Sequence, residues 1–154
     1  MTNTDSLITL TERAPASVAF PESNSAPARL RRERLRLIVA DDSPEFMEVV
    51  CALLELDHQI DVVARVGDGG EAIEAVAKLR PDAVLMDVDM PILDGLTATM
   101  VISAQFPGTR IVLMSAFESP ELRAEAQACG ALGLVDKTMF REEFPQVLGI
   151  PPVV

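Results

Sequence analysis

The sequence predicts a three-layer α/β/α fold in which a five-stranded parallel sheet, ordered 2-1-3-4-5, lies between two layers of helices. Two observations carry that prediction. Apolar, strand-like runs alternate five times with segments of helical periodicity, the pattern that crossover connections between parallel strands produce. Carboxylate, hydroxyl and ammonium side chains then follow directly on the ends of four of the five runs, at the edge where open parallel sheets bind ligands.

Leu35 to Ala40 is the first strand, and Pro44 stands where a helix begins. Phe46, Val49, Val50, Leu53 and Leu54 recur at helical spacing and predict the inward stripe of that first helix. Ile60 to Val66 is the second strand; Asp61 and Arg65 interrupt it, which places it at a sheet edge. Ala72, Ile73, Val76 and Ala77 form the stripe of the second helix, which Pro81 stops. Ala83 to Met86 runs without a polar break, as a central strand covered on both faces does. A third helix is expected from Gly95 to Phe106, a fourth strand from Ile111 to Met114, and a fourth helix from Glu118 to Cys129 with Gly130 as its C-terminal cap. The fourth helix is mostly alanine and charge, so it is the element expected to move most readily. Leu132 to Val135 is a short fifth strand. Pro145 is expected to break any helix that begins before about Glu142, and Pro151-Pro152 end the structure.

With 154 residues and 49% hydrophobic content, the chain suits one domain whose core needs no metal or disulfide. Its formal charge of −11 is unevenly spread: residues 1–36 carry six Arg and four acids, whereas the rest carry seven Lys/Arg and twenty acids. A body of that sign repels phosphate backbones, so direct nucleic-acid binding is not expected, and basic protein surfaces or cations are the natural partners. Cys51 and Cys129 lie in apolar or Ala-rich helical stretches and read as small buried thiols. No run of about 18 apolar residues and no basic-then-apolar leader occurs, so a cytoplasmic protein without membrane attachment is the expectation. Residues 1–34 are rich in Ser, Thr, Pro and Ala and read as a disordered tail, leaving a domain at 35–150.

The strand ends carry the chemistry. Strand one ends in Asp41-Asp42, strand three in Asp87, strand four in Ser115 and strand five in Asp136-Lys137. In the order 2-1-3-4-5 these ends are neighbours. Three converging carboxylates repel, and a hard divalent cation with oxygen ligands relieves them; Mg²⁺ fits, since it takes one or two carboxylates, keeps waters and welcomes a phosphate oxygen. The ammonium and hydroxyl complete a site for a transferring phosphoryl group, with Asp87 between them as a nucleophile able to form an acyl phosphate. Singly, each group has an ordinary use: Asp42 or Ser43 as a helix cap, Ser115 as a turn hydroxyl, Lys137 as a surface charge. Their joint placement favours the functional reading. His58, in the loop before strand two, lies away from this edge and is assigned no role.

The stretches Leu-Ile-Val-Ala-Asp-Asp-Ser-Pro (37–44), Val-Leu-Met-Asp-Val-Asp-Met-Pro-Ile-Leu-Asp-Gly (84–95), Val-Leu-Met-Ser-Ala-Phe (112–117) and Gly-Ala-Leu-Gly-Leu-Val-Asp-Lys (130–137) together resemble the receiver domains of two-component response regulators. The resemblance covers about 35–148 and is nearest the nitrate-regulator type. It implies a flavodoxin-like fold, Asp87 as phospho-acceptor, Asp42 as a direct Mg²⁺ ligand, Asp41 as a ligand through water and Asp89 as a ligand through its backbone carbonyl. It further implies that Ser115 hydrogen-bonds the phosphoryl group, that Lys137 pairs with it, and that the small Ala116 leaves it accessible. The implied donor is a phosphohistidine on a sensor histidine kinase or a histidine phosphotransfer protein.

Two positions depart from the family pattern. The aromatic residue usual three positions before the lysine is Leu134 here, which puts aromatic switching in doubt; Lys137 is followed by Thr138 in place of the common proline, which removes the usual cis bond. Asp89 adds a carboxylate beside the site and is expected to alter the acyl-phosphate lifetime. The rival readings are a haloacid-dehalogenase-like phosphatase, a degenerate receiver that only binds partners, and the receiver part of a DNA-binding transcription regulator. The first is disfavoured because the acidic pair precedes the nucleophile. The second is disfavoured by the intact set of site residues. Against the third, the sequence stops at Val154, short of a helix-turn-helix, so a stand-alone phosphorylated switch is the expectation. It is not expected to be an enzyme beyond its own phosphorylation and dephosphorylation. Its output is expected to leave through the fourth helix, fifth strand and last helix to an unknown downstream protein.

Overall fold

The computed structural model describes residues 33–152. The tail expected at 1–34 lies, but for its last two residues, outside them. Five strands, β1 (Leu35–Ala40), β2 (Ile60–Val66), β3 (Ala83–Asp87), β4 (Arg110–Ser115) and β5 (Gly133–Asp136), form one parallel sheet. Their order is β2-β1-β3-β4-β5, as expected. The helices are α1 (Pro44–Glu55), α2 (Gly69–Leu79), α3 (Gly95–Gln105), α4 (Pro120–Cys129) and α5 (Phe140–Leu148), the last entered through a 3₁₀ turn at Lys137–Met139.

Period-two alternation in the strands divides the interior into two cores. Leu37, Val39, Ala83, Leu85, Val112, Met114 and Val135 face one side, where Val50, Cys51 and Leu54 of α1 and Phe140, Phe144 and Leu148 of α5 cover them. Ile38, Ala40, Val84, Met86, Ile111, Leu113 and Leu134 face the other, under α2, α3 and α4. β3 is buried along its whole length, so its carboxyl-terminal Asp87 is delivered into the middle of the sheet edge. β2 is an edge strand with Asp61 and Arg65 exposed, as expected.

Four helices start on side-chain caps: Ser43 accepts from the Phe46 N–H, Asp68 from Glu71, Asp94 from Thr97 and Ser119 from Leu122. Gly130 closes α4 at φ 103°, the left-handed conformation expected of it. Gly95 is demanded by a close approach, because a Cβ there would stand 2.2 Å from the carbonyl oxygen of Asp87. That contact, with the Gly95 N–H donating to Val88 at 2.8 Å, seats the start of α3 against the end of β3.

Several details differ from the sequence expectation. Val49 is 57% exposed, and Cys51 takes the inward position, its small thiol fitting against the sheet. Ala77 is exposed in the same way, while Ala75 packs against the core beside Ala72, Ile73 and Val76. Cys129 is only partly buried. α4 begins at Pro120, not Glu118, because Ser119 caps it, and β5 starts at Gly133, leaving Leu132 exposed. Pro145 does not break α5. It forfeits one intrahelical hydrogen bond, but Phe140, Phe144, Pro145 and Leu148 are all buried on one face, and burial of side chains of that size, about 1.5–3 kcal/mol each, outweighs a proline cost of about 3 kcal/mol. α4 buries only Ala126 fully, in keeping with its composition.

Candidate functional site

Three carboxylates meet at the carboxyl edge of the sheet. One oxygen each from Asp41, Asp42 and Asp87 lies within 4.8 Å of the others, with Asp41 and Asp87 buried and Asp42 exposed. β1 and β3 are hydrogen-bonded neighbours, so the residues that end or follow them are forced together by register. Asp41 is held by its Oδ1, which accepts from the Ser43 N–H at 2.8 Å. Asp87 Oδ1 accepts from the Asp89 N–H at 3.2 Å.

Lys137 supplies the countercharge. Its Nζ lies 2.6 Å from Asp41 Oδ2 and 3.2 Å from Asp87 Oδ2. Although close, the Asp41 contact is off the hydrogen-bonding angle, so this buried oxygen has an ionic neighbour but no directed donor. The Lys137 ammonium also stands 4.5 Å from the ring centroid of Phe46, in the first turn of α1. Sequence reasoning gave Phe46 only a core role, since nothing in helical spacing reveals a cation on another element.

Burial pushes the Asp87 carboxyl up to about 6, the neighbouring Asp41 charge adds to the rise, and Lys137 and the Asp89 N–H partly oppose it. For Lys137, burial pulls the ammonium down but is outweighed by its pairing with Asp41 and Asp87, so the net shift is upward. The three-oxygen cluster and the undirected Asp41 Oδ2 fit a hard, oxygen-liganded dication such as Mg²⁺.

Ser115 is buried at the end of β4, one residue past Met114, which pairs with Asp87 across the sheet. Its hydroxyl is engaged within its own loop: Oγ donates to the Phe117 carbonyl at 2.9 Å and accepts the Phe117 N–H at 3.0 Å. Phe117 itself is 87% exposed. Ala116 is exposed, and the side chain of Asp89 points to solvent outside the carboxylate cluster. Leu134 is only 2% exposed and already faces the α4 side of the core, and the Lys137–Thr138 peptide is trans. His58 is exposed on the α1–β2 loop, away from the site.

Sequence reasoning also missed Ile92, 90% exposed in the β3–α3 loop at φ 69°. The Leu93 N–H reaches back to the Pro91 carbonyl at 2.7 Å, making a three-residue turn that a β-branched residue adopts only under strain.

The raised Asp87 carboxyl sets a pH dependence. The native state binds this proton more tightly than the unfolded chain, so stability falls as pH rises from about 4 to about 6, by about 2–3 kcal/mol. In EDTA, Asp87→Asn is therefore expected to be more stable than wild type at pH 7 by about that amount, and nearly equal to it at pH 4, as read from urea unfolding midpoints.

Comparison with known proteins agrees with this geometry. Residues 37–148 match the family described as the response regulator receiver domain. The chain is 35% identical over 105 residues to the transcriptional regulatory protein LnrK of Bacillus subtilis, covering 68% of this chain and 48% of that one. It is 43% identical over 105 residues to a protein-glutamate methylesterase/protein-glutamine glutaminase of Haloarcula marismortui, covering 67% of this chain and 28% of that protein. The chain thus spans less than half the length of either relative. Among solved structures, the signal receiver domain of NarL from Mycobacterium tuberculosis superimposes with a TM-score of 0.67 at 34% identity, covering 69% of this chain and 86% of that one. The response regulator domain of Thermotoga maritima CheB does so with a TM-score of 0.68 at 26% identity, covering 78% of this chain and all of that one. A family match across most of the chain, on a sheet of the expected order that brings Asp41, Asp42, Asp87 and Lys137 together, shows that this chain belongs to the response regulator receiver domain family.

Proposed function

We propose that this receiver domain accepts a phosphoryl group from a phosphohistidine onto Asp87 and signals through a phosphorylation-dependent protein contact. The observation that carries the reading is the convergence of Asp41, Asp42 and Asp87 with the Lys137 ammonium at one strand edge. The donor is a sensor histidine kinase or a histidine phosphotransfer protein, in the cytoplasm. Among the described residues no helix is long and apolar enough to cross a membrane.

In the transfer, an Asp87 carboxylate oxygen attacks phosphorus. The new P–O bond forms as the P–N bond breaks, and the electron pair leaves on the imidazole nitrogen, which takes up a proton. Asp41, Asp42 and Asp87 would hold Mg²⁺ together with the Asp89 carbonyl, and the ion when bound neutralises charge on the phosphoryl oxygens. Lys137 follows those oxygens from the other side.

Ser115 turns the modification into motion. A hydroxyl has one proton to donate, and here the Phe117 carbonyl already takes it. Donating to a phosphoryl oxygen therefore requires Ser115 to release Phe117, which frees the β4–α4 loop. That loop leads through Glu118, paired with Arg123, to an α4 held by little buried surface. This route needs no aromatic ring at 134, where Leu134 is already inward, and it amounts to a population shift that only a partner sensitive to the loop or to α4 reads.

Incubation with acetyl phosphate and Mg²⁺ is expected to add one phosphoryl group by intact mass. EDTA and Asp87→Ala each abolish the addition, and an unmodified wild type under these conditions and with phosphohistidine donors overturns the reading. The latch has its own readout, because the chain contains no Trp or Tyr. In Phe117→Trp the indole emission is expected to shift on adding Mg²⁺ and beryllofluoride, a phosphoryl mimic, and to stay unchanged when Ser115→Ala is combined with it. A shift that survives the loss of the hydroxyl removes Ser115 from the route.

A further inference from the structure

The anionic partners of Lys137 change identity during the proposed reaction. Asp41 Oδ2, 2.6 Å from the ammonium, belongs to the same three-oxygen cluster that fits a dication, and a dication there repels Nζ. Asp87, at 3.2 Å, loses its carboxylate charge when it becomes an acyl phosphate. One contact of the ammonium is indifferent to both events: the Phe46 ring, whose centroid is 4.5 Å from Nζ. A ring at this distance attracts a cation through its quadrupole, and it binds neither a metal nor a proton.

Phe46 is also well fixed for such a role. It sits in the first turn of α1, where its backbone N–H donates to the capping Ser43 Oγ at 3.2 Å. The same Ser43 donates its own N–H to Asp41 Oδ1 at 2.8 Å. Cap, carboxylate and ring are thus one local unit, and the ring packs on the edge of the core under α1. The Lys137 side chain is mostly buried, so the ammonium has little water to turn to when its carboxylate partners change.

We propose that Phe46 is a positioning residue for the phosphoryl site: its ring retains the Lys137 ammonium beside Asp87 while the carboxylates pass to metal and phosphoryl group. The proposal rests on the acceptor reading given above, and it separates Phe46 from an ordinary core position. A packing residue acts whether or not the lysine is present. A positioning residue acts only through it.

The test is a double-mutant cycle on beryllofluoride binding in Mg²⁺, titrated by ¹⁹F NMR on wild type, Phe46→Leu, Lys137→Ala and the double variant, with Phe46→Tyr as the conservative control. Phe46→Leu is expected to weaken binding by about 3- to 10-fold, and Phe46→Tyr to bind within about twofold of wild type. In the Lys137→Ala background, Phe46→Leu is expected to change nothing further. Equal weakening in both backgrounds, or a Phe46→Leu variant that binds as wild type does, overturns the proposal while leaving the acceptor reading in place. Absence of beryllofluoride binding by wild type sinks both.

Discussion

Mutual repulsion of three carboxylates at one strand edge is the constraint on which the rest of this structure turns. Asp41, Asp42 and Asp87 converge within 4.8 Å, and two of them are buried. Burial pushes the Asp87 carboxyl up to about 6, and the neighbouring Asp41 charge adds to the rise. Among the described residues Lys137 is the only cation that contacts the cluster, and it reaches both Asp41 and Asp87. One positive charge faces three negative ones, an imbalance that a hard dication with oxygen ligands would relieve.

The fold exists to hold that conflict in place. β3, buried on both faces, cannot withdraw Asp87 from the edge without breaking its ladders to β1 and β4. Gly95 locks the start of α3 against the Asp87 carbonyl, and the Ser43 cap ties α1 to Asp41. Around this rigid floor stand looser parts: the β4–α4 loop closed by the Ser115–Phe117 hydrogen bonds, α4 with Ala126 as its one fully buried residue, and the strained turn at Ile92. A well-held floor beside lightly held parts suits the proposed switch, since a change of about a kilocalorie or two can move only what is weakly held.

Much of this was legible in the residues. Alternation of strand-like and helix-like runs gives the sheet, the unbroken apolar run Ala83 to Met86 gives its centre, and charged residues at the ends of three strands give the convergence of Asp41, Asp42, Asp87 and Lys137. What escaped is of two kinds. Tertiary burial decided between local options: Cys51 displaced Val49 from the inward face, and four buried side chains kept α5 intact through Pro145. Contacts between distant elements or within loops also leave no period to read. The Phe46 ring beneath Lys137, the Ser115–Phe117 latch and the left-handed Ile92 all depend on side-chain or loop geometry.

Lys137 and a dication compete for the oxygens of one carboxylate cluster, since the ammonium lies 2.6 Å from Asp41 Oδ2. The decisive measurement is calorimetric titration of Mg²⁺ into wild type and Lys137→Ala, at a pH above the Asp87 value of about 6. Removing the ammonium from beside Asp41 removes its repulsion of the ion, so Lys137→Ala is predicted to bind Mg²⁺ several-fold more tightly than wild type. Equal or weaker binding by the variant would contradict the account.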